Sequence, residues 1–198
     1  MYYQILKKRI SASREIEEIK TMMENSFPKE EQTDIAKLQQ LSLREYVNFD
    51  VYYANNDMCG FSFIVKNKNF IFLYYLVIKD CFRSLGIGTK ILNSIISSKD
   101  KKIVILNIEP LDINALNNSQ RKKRLNFYLE NGLINTGYFL YHENIEYLIL
   151  ASEQTFNIVE YKSLLIDLSE SYRDCIYNCR SCHNHSAVQC YSAAIARP

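Results

Sequence analysis

The chain has 198 residues, 47% of them hydrophobic and 23% charged, with a formal net charge of +2. This is the composition of one ordinary globular domain with room for a short appendage; it excludes a wholly disordered chain, and with 5 Gly and 3 Pro it excludes collagen-like or linker-like sequence. So balanced a charge gives no bulk electrostatic reason to expect a nucleic-acid partner.

The N-terminus, MYYQILKKRI, lacks the apolar stretch of a secretory signal. The longest apolar run, Phe70 to Ile78, is far shorter than the roughly 20 residues of a membrane-spanning helix. A cytoplasmic protein without a membrane partner is the expectation. Cys59 and Cys81 are scattered through the body, whereas Cys175, Cys179, Cys182 and Cys190 crowd the last stretch with His183 and His185. That shift marks a boundary near Tyr172.

In chain order, Tyr2 to Leu6 predicts a short strand. Ser13 starts a helix that carries Ile16, Ile19, Met22, Met23 and Phe27 at helical spacing and stops before Pro28. A second helix is predicted from Thr33, with Ile35, Leu38 and Leu41 as its stripe. The period then becomes two. Phe49, Val51 and Tyr53 form one strand, Asn55-Asn56-Asp57 a turn, Met58 to Lys66 a return strand, Asn67-Lys68-Asn69 another turn, and Phe70 to Ile78 a strand covered on both faces. A helix follows with Ile87, Ile91, Leu92, Ile95 and Ile96 on one side. Ile103 to Ile108 is a buried strand closed by Glu109-Pro110. A helix from about Ser119 to Asn131 ends at Gly132, and Tyr138–Tyr141 and Ile145–Leu150 form a hairpin. Phe156 to Leu168 predicts one more helix.

The segment Arg83-Ser84-Leu85-Gly86-Ile87-Gly88-Thr89 carries the chemistry. It follows a buried strand and opens a helix. Two glycines let backbone approach a ligand, the free N–H groups and positive dipole end of the helix suit a diphosphate, and Arg83 adds a fork of donors. It is neither a Walker loop nor a dinucleotide fingerprint, and a glycine pair in such a turn also serves as a plain tight connection.

LVIKDCFRSLGIGTKIL, residues 76 to 92, resembles the R/Q-x-x-G-x-G/A signature of the GNAT N-acetyltransferase superfamily. Phe127-Tyr128-Leu129-Glu130-Asn131-Gly132-Leu133 resembles its FYxxxGF element, with Leu133 in place of the final Phe. Between them lies a strand ending NIEP and an Asn-rich loop running into NNSQRKKR, as in bacterial members. The resemblance extends over residues 1–155, with 156–172 a helical extension and 173–198 a Cys/His-rich disordered tail. It implies an α/β (α+β mixed) fold, with a central mixed, mostly antiparallel sheet of about seven strands flanked by helices and splayed at its central strands.

The implied activity is transfer of the acetyl group of acetyl-CoA directly to a primary amine of a small molecule or peptide. Pantetheine would pair with backbone near Leu76, Val77 and Ile78, and the N–H groups of Ser84, Leu85, Gly86, Ile87, Gly88 and Thr89, with Arg83, would hold the diphosphate. Asn118 is a helix cap that the family also places near CoA. Tyr128 matches the acid that protonates the leaving thiolate, and Glu109 the base, with Glu143 and Glu146 as competitors. No covalent intermediate is required. A homodimer is left open.

Three features admit a bland reading. Arg121-Lys122-Lys123-Arg124 reads better as a solvated helix face than as a phosphate contact. Tyr2, Tyr3, Tyr52, Tyr53, Tyr74 and Tyr75 read better as sheet packing than as an amine cage. The tail's Cys-x₃-Cys-x₂-Cys and its histidines match no metal pattern that this chain can support, so no metal is expected. The alternative to an acetyltransferase is a non-catalytic acyl-CoA-binding or regulatory protein on the same fold.

Overall fold

The period-two pattern of the first half becomes an antiparallel sheet. The computed structural model describes residues 3–10, 13–142, 145–168 and 176–178, the last by backbone alone. The chain divides into two units, 1–104 and 105–198.

In the first unit, β1 (Ile5–Arg9), β2 (Val47–Ala54), β3 (Asp57–Lys66) and β4 (Phe70–Ile78) pair in sequence order, all antiparallel. β1 lies later than the expected 2–6, because pairing with β2 runs from Ile5 opposite Ala54 to Arg9 opposite Asp50. The β2–β3 turn is the one the asparagines predict: Asn55 and Asn56 have φ of 52° and 71°, the left-handed pair of a two-residue hairpin. At the next turn the Asn67 carboxamide oxygen accepts the N–H groups of Asn69 and Phe70 at 2.9 and 2.7 Å.

α1 (Ser13–Ser26) buries Ile19, Met22 and Met23, and α2 (Ile35–Ser42) buries Leu38. α2 starts after Thr33 because Asp34 is its cap, accepting from the N–H groups of Ala36 and Lys37 at 2.7 and 3.3 Å. The Ser13 side chain, expected to cap α1, lies outside the described set. Phe49 packs edge-on against Phe61 and Phe63, ring centres 6.0 and 5.3 Å apart, and all three are fully buried, each worth about 1.5–3 kcal/mol of transfer free energy. α3 (Ile87–Ser97) buries Ile87, Ile91, Leu92 and Ile95 of the stripe read from sequence, and Ile96 is half-buried.

In the second unit, β5 (Ile103–Ile108), β6 (Ile134–His142), β7 (Ile145–Ala151) and β8 (Ile176–Asn178) stand in the order β5-β7-β6-β8, again antiparallel, with α4 (Asn118–Glu130) and α5 (Ile158–Leu168). β6 begins four residues before the expected Tyr138; its irregularity between Asn135 and Phe139 disguises the strand start as a turn. The Tyr161 phenol of α5 is buried and donates to Asn107 Oδ1 at 2.9 Å. β8 corrects the expectation of a wholly disordered segment beyond 172: Ile176, Tyr177 and Asn178 pair with Leu140, Phe139 and Tyr138 on β6. A three-residue strand is too short to show a period in sequence. Cys175, Cys179, Cys182, His183, His185 and Cys190 lie outside the described residues. Among the described residues no cluster of His, Cys, Asp or Glu could hold a metal, and no helix is long and apolar enough to cross a membrane.

The architecture is thus mixed α/β and mostly antiparallel, as expected, with eight strands among the described residues.

Candidate functional site

The turn after β4 is built by unusual backbone. Ser84 (φ 61°) and Gly86 (φ 74°) both sit in the left-handed region, with Leu85 between them. A non-glycine residue there costs roughly 1 kcal/mol, and such positions cluster at ligand loops. Gly86 is the N-cap of α3 and makes no side-chain cap bond. The first helical N–H bonded inside the helix is that of Lys90, to the Gly86 carbonyl at 3.1 Å, which leaves the N–H groups of Ile87, Gly88 and Thr89 directed out of the helix end. A Cβ placed on Gly86 would meet nothing within 4 Å, so the space above the cap is open. Ser84 and Leu85 are exposed beside it. An anionic diphosphate fits this cradle by charge and by hydrogen-bond sense.

Arg83 is turned inward. Its Nε–H donates to the Ile78 carbonyl at 3.0 Å and its Nη2 to Ser26 Oγ at 3.2 Å, while the guanidinium pairs with Asp80 at 2.9 Å. It braces the turn; the expected fork toward a phosphate is engaged with protein, although half of the side chain is exposed. Leu76 and Ile78 pair with Ser62 and Gly60 of β3, and Val77 is buried between them.

In the second unit, Glu109 is 5% exposed and fully engaged. Its Oε1 accepts from Arg121 Nη2 at 2.8 Å, its Oε2 from Arg124 Nη1 at 3.1 Å, and the Asn117 amide reaches both oxygens at 3.3 and 3.5 Å. Arg121 also donates to Asn117 Oδ1 at 2.8 Å and to the Pro110 carbonyl at 3.0 Å. Glu109, the expected general base, thus shares both oxygens with protein donors. One expectation is corrected. Arg121 and Arg124, expected on a solvated face, are half-buried and pair with that carboxylate; Lys122 and Lys123 between them are exposed. Asn118 does not cap α4 either: the helix starts at Asn118, its cap position is Asn117, and the Asn118 carboxamide accepts the Asp112 N–H at 3.1 Å.

Tyr128 is 8% exposed on α4, and burial pushes its phenol up to about 12, against a smaller lowering by the Arg124 charge. The FYLENGL element has a purely structural content as well. Leu133 N–H bonds the Tyr128 carbonyl and Gly132 N–H the Leu129 carbonyl, both at 3.1 Å, with Gly132 at φ 86°. That is a Schellman ending, and it fixes where α4 stops relative to Tyr128.

No protein-family model matches the chain, and neither does any curated protein. Solved structures do. A structure named as a GNAT-family acetyltransferase from Bacteroides thetaiotaomicron is 18% identical, with 82% of this chain and 95% of that one covered at a TM-score of 0.64. Arabidopsis thaliana Naa50, solved with the bisubstrate analogue CoA-Ac-MVNAL, is 14% identical over 75% of this chain and 98% of its own, TM-score 0.56. The ribosomal-protein-S18-alanine N-acetyltransferase of Escherichia coli is 10% identical over 78% and 96%, TM-score 0.55. The chain has the GNAT acetyltransferase fold.

On this GNAT fold four of the tyrosines named from sequence, Tyr52, Tyr53, Tyr74 and Tyr75, have hydrogen-bonded hydroxyls. Tyr52 meets Ser62 Oγ at 2.9 Å and Tyr53 donates to Glu15 at 2.6 Å, while Tyr74 and Tyr75 both reach Thr33. Burial raises Tyr52 to about 12. Cys59 is buried and raised to about 11, so it is a poor nucleophile. Glu146 stands on β7 opposite Tyr141, and Glu143 and Tyr2 lie outside the described residues. The sequence reading missed Arg121, Arg124 and Asn117 as partners of Glu109, since nothing local links positions that a loop separates.

Proposed function

We propose that this protein transfers the acetyl group of acetyl-CoA directly to a primary amine of a small molecule or peptide. The observation that carries the reading is the turn of Ser84 to Thr89, whose left-handed backbone and free helix N–H groups make an open anion cradle at the end of a buried strand, on a fold that acetyltransferases share. The cradle would hold the diphosphate. Leu76, Val77 and Ile78 would present backbone to the pantetheine arm. The attacking amine displaces CoA thiolate in one acyl transfer, and Tyr128, protonated at any working pH, would return the proton to sulfur. Glu109, which also ties α4 through Arg121 and Arg124, would take the proton of the attacking amine directly or through ordered water, with Glu143 and Glu146 as the competitors.

The protein is proposed to act in the cytoplasm, without nucleic-acid or membrane partners, as a monomer or homodimer. The domain reading is kept: an acetyltransferase domain over 1–155, a helical extension over 156–172, and a tail beyond it that neither binds CoA nor carries a required metal. A free-thiol release assay with acetyl-CoA across an amine panel tests the activity. Amine-dependent release supports it. Saturable acetyl-CoA binding without release by any amine favours the non-catalytic acyl-CoA-binding alternative.

A further inference from the structure

β1 carries its cations on both faces. Arg9 stands opposite Asp50 and Lys7 opposite Tyr52, and across β2 Asp50 stands opposite Ser62. Residues opposite each other in a ladder share a face, and so do residues two or four apart in one strand. Lys7, Arg9, Asp50, Ser62 and Lys66 therefore lie on one face, which the 2.9 Å contact between Tyr52 Oη and Ser62 Oγ also marks. Lys8 lies on the other, its ammonium 5.0 Å from the centre of the Tyr53 ring. Lys102, in the turn before β5, reaches the same corner by donating to the carbonyl of Asn67, next to Lys66, at 2.7 Å.

Three of these cations are tethered. Arg9 Nη2 donates to the Val47 carbonyl, Lys102 Nζ to Asn67, and Lys7 Nζ stands 3.7 Å from Asp50 Oδ2. Lys66 is the exception: it is half-buried, and its ammonium has no hydrogen bond or ion pair among the described residues. Burial lowers its pKa from the ordinary lysine value, the charges of Lys7, Lys102 and Arg9 lower it further, and Asp50 alone opposes them. Asp50 does not balance the group. Its side chain is 6% exposed and its Oδ2 accepts no hydrogen bond among the described residues, so it contributes charge from beneath and no surface. Four cations thus face one hidden carboxylate, an excess of three positive charges that costs free energy unless a counter-ion offsets it.

We propose that Lys7, Arg9, Lys66 and Lys102 form a second anion site, which takes a phosphate dianion, free or at the end of a phosphomonoester, with Lys66 at its centre. Charge and donors select phosphate. A phosphomonoester carries about −1.5 to −2 charge at neutral pH and three strong acceptor oxygens, whereas a carboxylate leaves more of the excess in place. The cations surround one ammonium rather than forming a row, which suits a single phosphate group and not a polymer backbone. The site is not the cradle. Lys66 stands opposite Ile71, and the cradle follows Ile78, about 23 Å further along an extended strand. Nor does it depend on the acetyl-transfer reading.

Inorganic phosphate is titrated into the full chain by calorimetry and by thermal unfolding, at constant ionic strength set with sodium chloride. Glycerol 3-phosphate is the monoester probe and a short single-stranded RNA the polymer probe. Saturable phosphate binding is expected, and Lys66→Gln should weaken it at least about tenfold, the effect of one charge-assisted hydrogen bond. In phosphate-free buffer Lys66→Gln should melt no lower than the unaltered protein, because it removes like-charge repulsion. Lys8→Gln makes the same charge change on the other face and should keep the Kd within about twofold, since exposed charges at a distance are screened. Glycerol 3-phosphate binding at least as tightly as phosphate assigns the site to a phosphomonoester, and binding of phosphate alone assigns it to the free ion. Equal loss in Lys8→Gln and Lys66→Gln, binding of RNA in preference to both small anions, or a phosphate response no larger than that of chloride overturns the site. Displacement of phosphate by acetyl-CoA in the unaltered protein and in Lys66→Gln alike places the anion in the cradle and also overturns it. If Lys66→Gln does not fold, Lys102→Gln removes another donor and is read in the same way.

Discussion

Glu109 and Arg124, on either side of the loop that joins β5 to α4, meet in a 3.1 Å ion pair, and Arg121 closes the other oxygen of the same carboxylate at 2.8 Å. The loop between them is pinned at both ends by charge rather than by apolar packing. Leu111, Ile113 and Leu116 in it are exposed.

The first prediction follows from that pair. Glu109→Ala leaves two guanidinium groups, 18% and 26% exposed, without their carboxylate. Removing one partner of a buried pair costs about 3–5 kcal/mol, and these arginines keep some water, so the lower end applies. At 2–4 °C per kcal/mol for a chain of this size, Tm should fall on the order of 10 °C. Glu109→Gln retains an acceptor for one arginine and should lose less. If Glu109→Gln keeps Tm and loses kcat by more than a hundredfold, Glu109 acts as the base.

The cradle gives the second. Gly86→Val places a β-branched side chain at φ 74°, which costs about 1–2 kcal/mol in the folded turn, and points it into the open space above the cap. Acetyl-CoA should no longer raise Tm in Gly86→Val, while the apo protein remains folded. An unchanged ligand-induced shift would remove the turn from CoA binding.

How much of this was legible in the sequence differs by element. β4, β5 and the stripe of α3 were readable because nearly every residue in them is buried, and a run such as FIFLYYLVI has one reading. Asn55-Asn56 was readable because only a left-handed pair closes so short a hairpin. The Ser84–Thr89 turn stood out because glycines and a helix start coincide. Arg121 and Arg124 looked like surface because helix propensity and charge describe a residue's own segment, whereas their role depends on Glu109 across a loop. The contact of Tyr74 and Tyr75 with Thr33 was hidden for a related reason: a bulge breaks the alternation from which strand faces are read, so nothing in the sequence placed their hydroxyls together.

The third prediction concerns the chain beyond residue 172. Ending the chain at residue 171 removes β8, whose only described pairing is three residues long against β6. So few ladder bonds contribute little, and the cradle lies in the other unit. The shortened chain should fold and bind acetyl-CoA with a Kd within about threefold of the full chain. Loss of the folded far-UV spectrum, or stoichiometric zinc or iron in the purified full chain, would show that the tail is part of the fold or of a site.

The last prediction is Tyr128. Its phenol is buried and raised to about 12, so it is protonated throughout the working range and can only give a proton. Transfer to a departing thiolate is uphill for so weak an acid, and it succeeds only if the proton moves as the C–S bond breaks. Tyr128→Phe keeps the ring that lies against Phe127 at 5.1 Å and deletes the hydroxyl alone. If that hydroxyl is the acid, kcat for thiol release should fall by roughly 10²–10⁴ with the KM of acetyl-CoA unchanged. A second reading separates chemistry from packing. The folded pKa lies above the unfolded value of about 10, so this tyrosine's stabilisation is complete below pH 10 and is lost as pH rises from 10 to 12. Tyr128→Phe should therefore lose less stability than the unaltered protein across that window, whatever its effect on catalysis. A flatter alkaline unfolding curve with kcat within a few-fold of normal would leave Tyr128 as a core residue whose place in FYLENGL is set by the helix ending at Gly132, and the thiolate would take its proton from water.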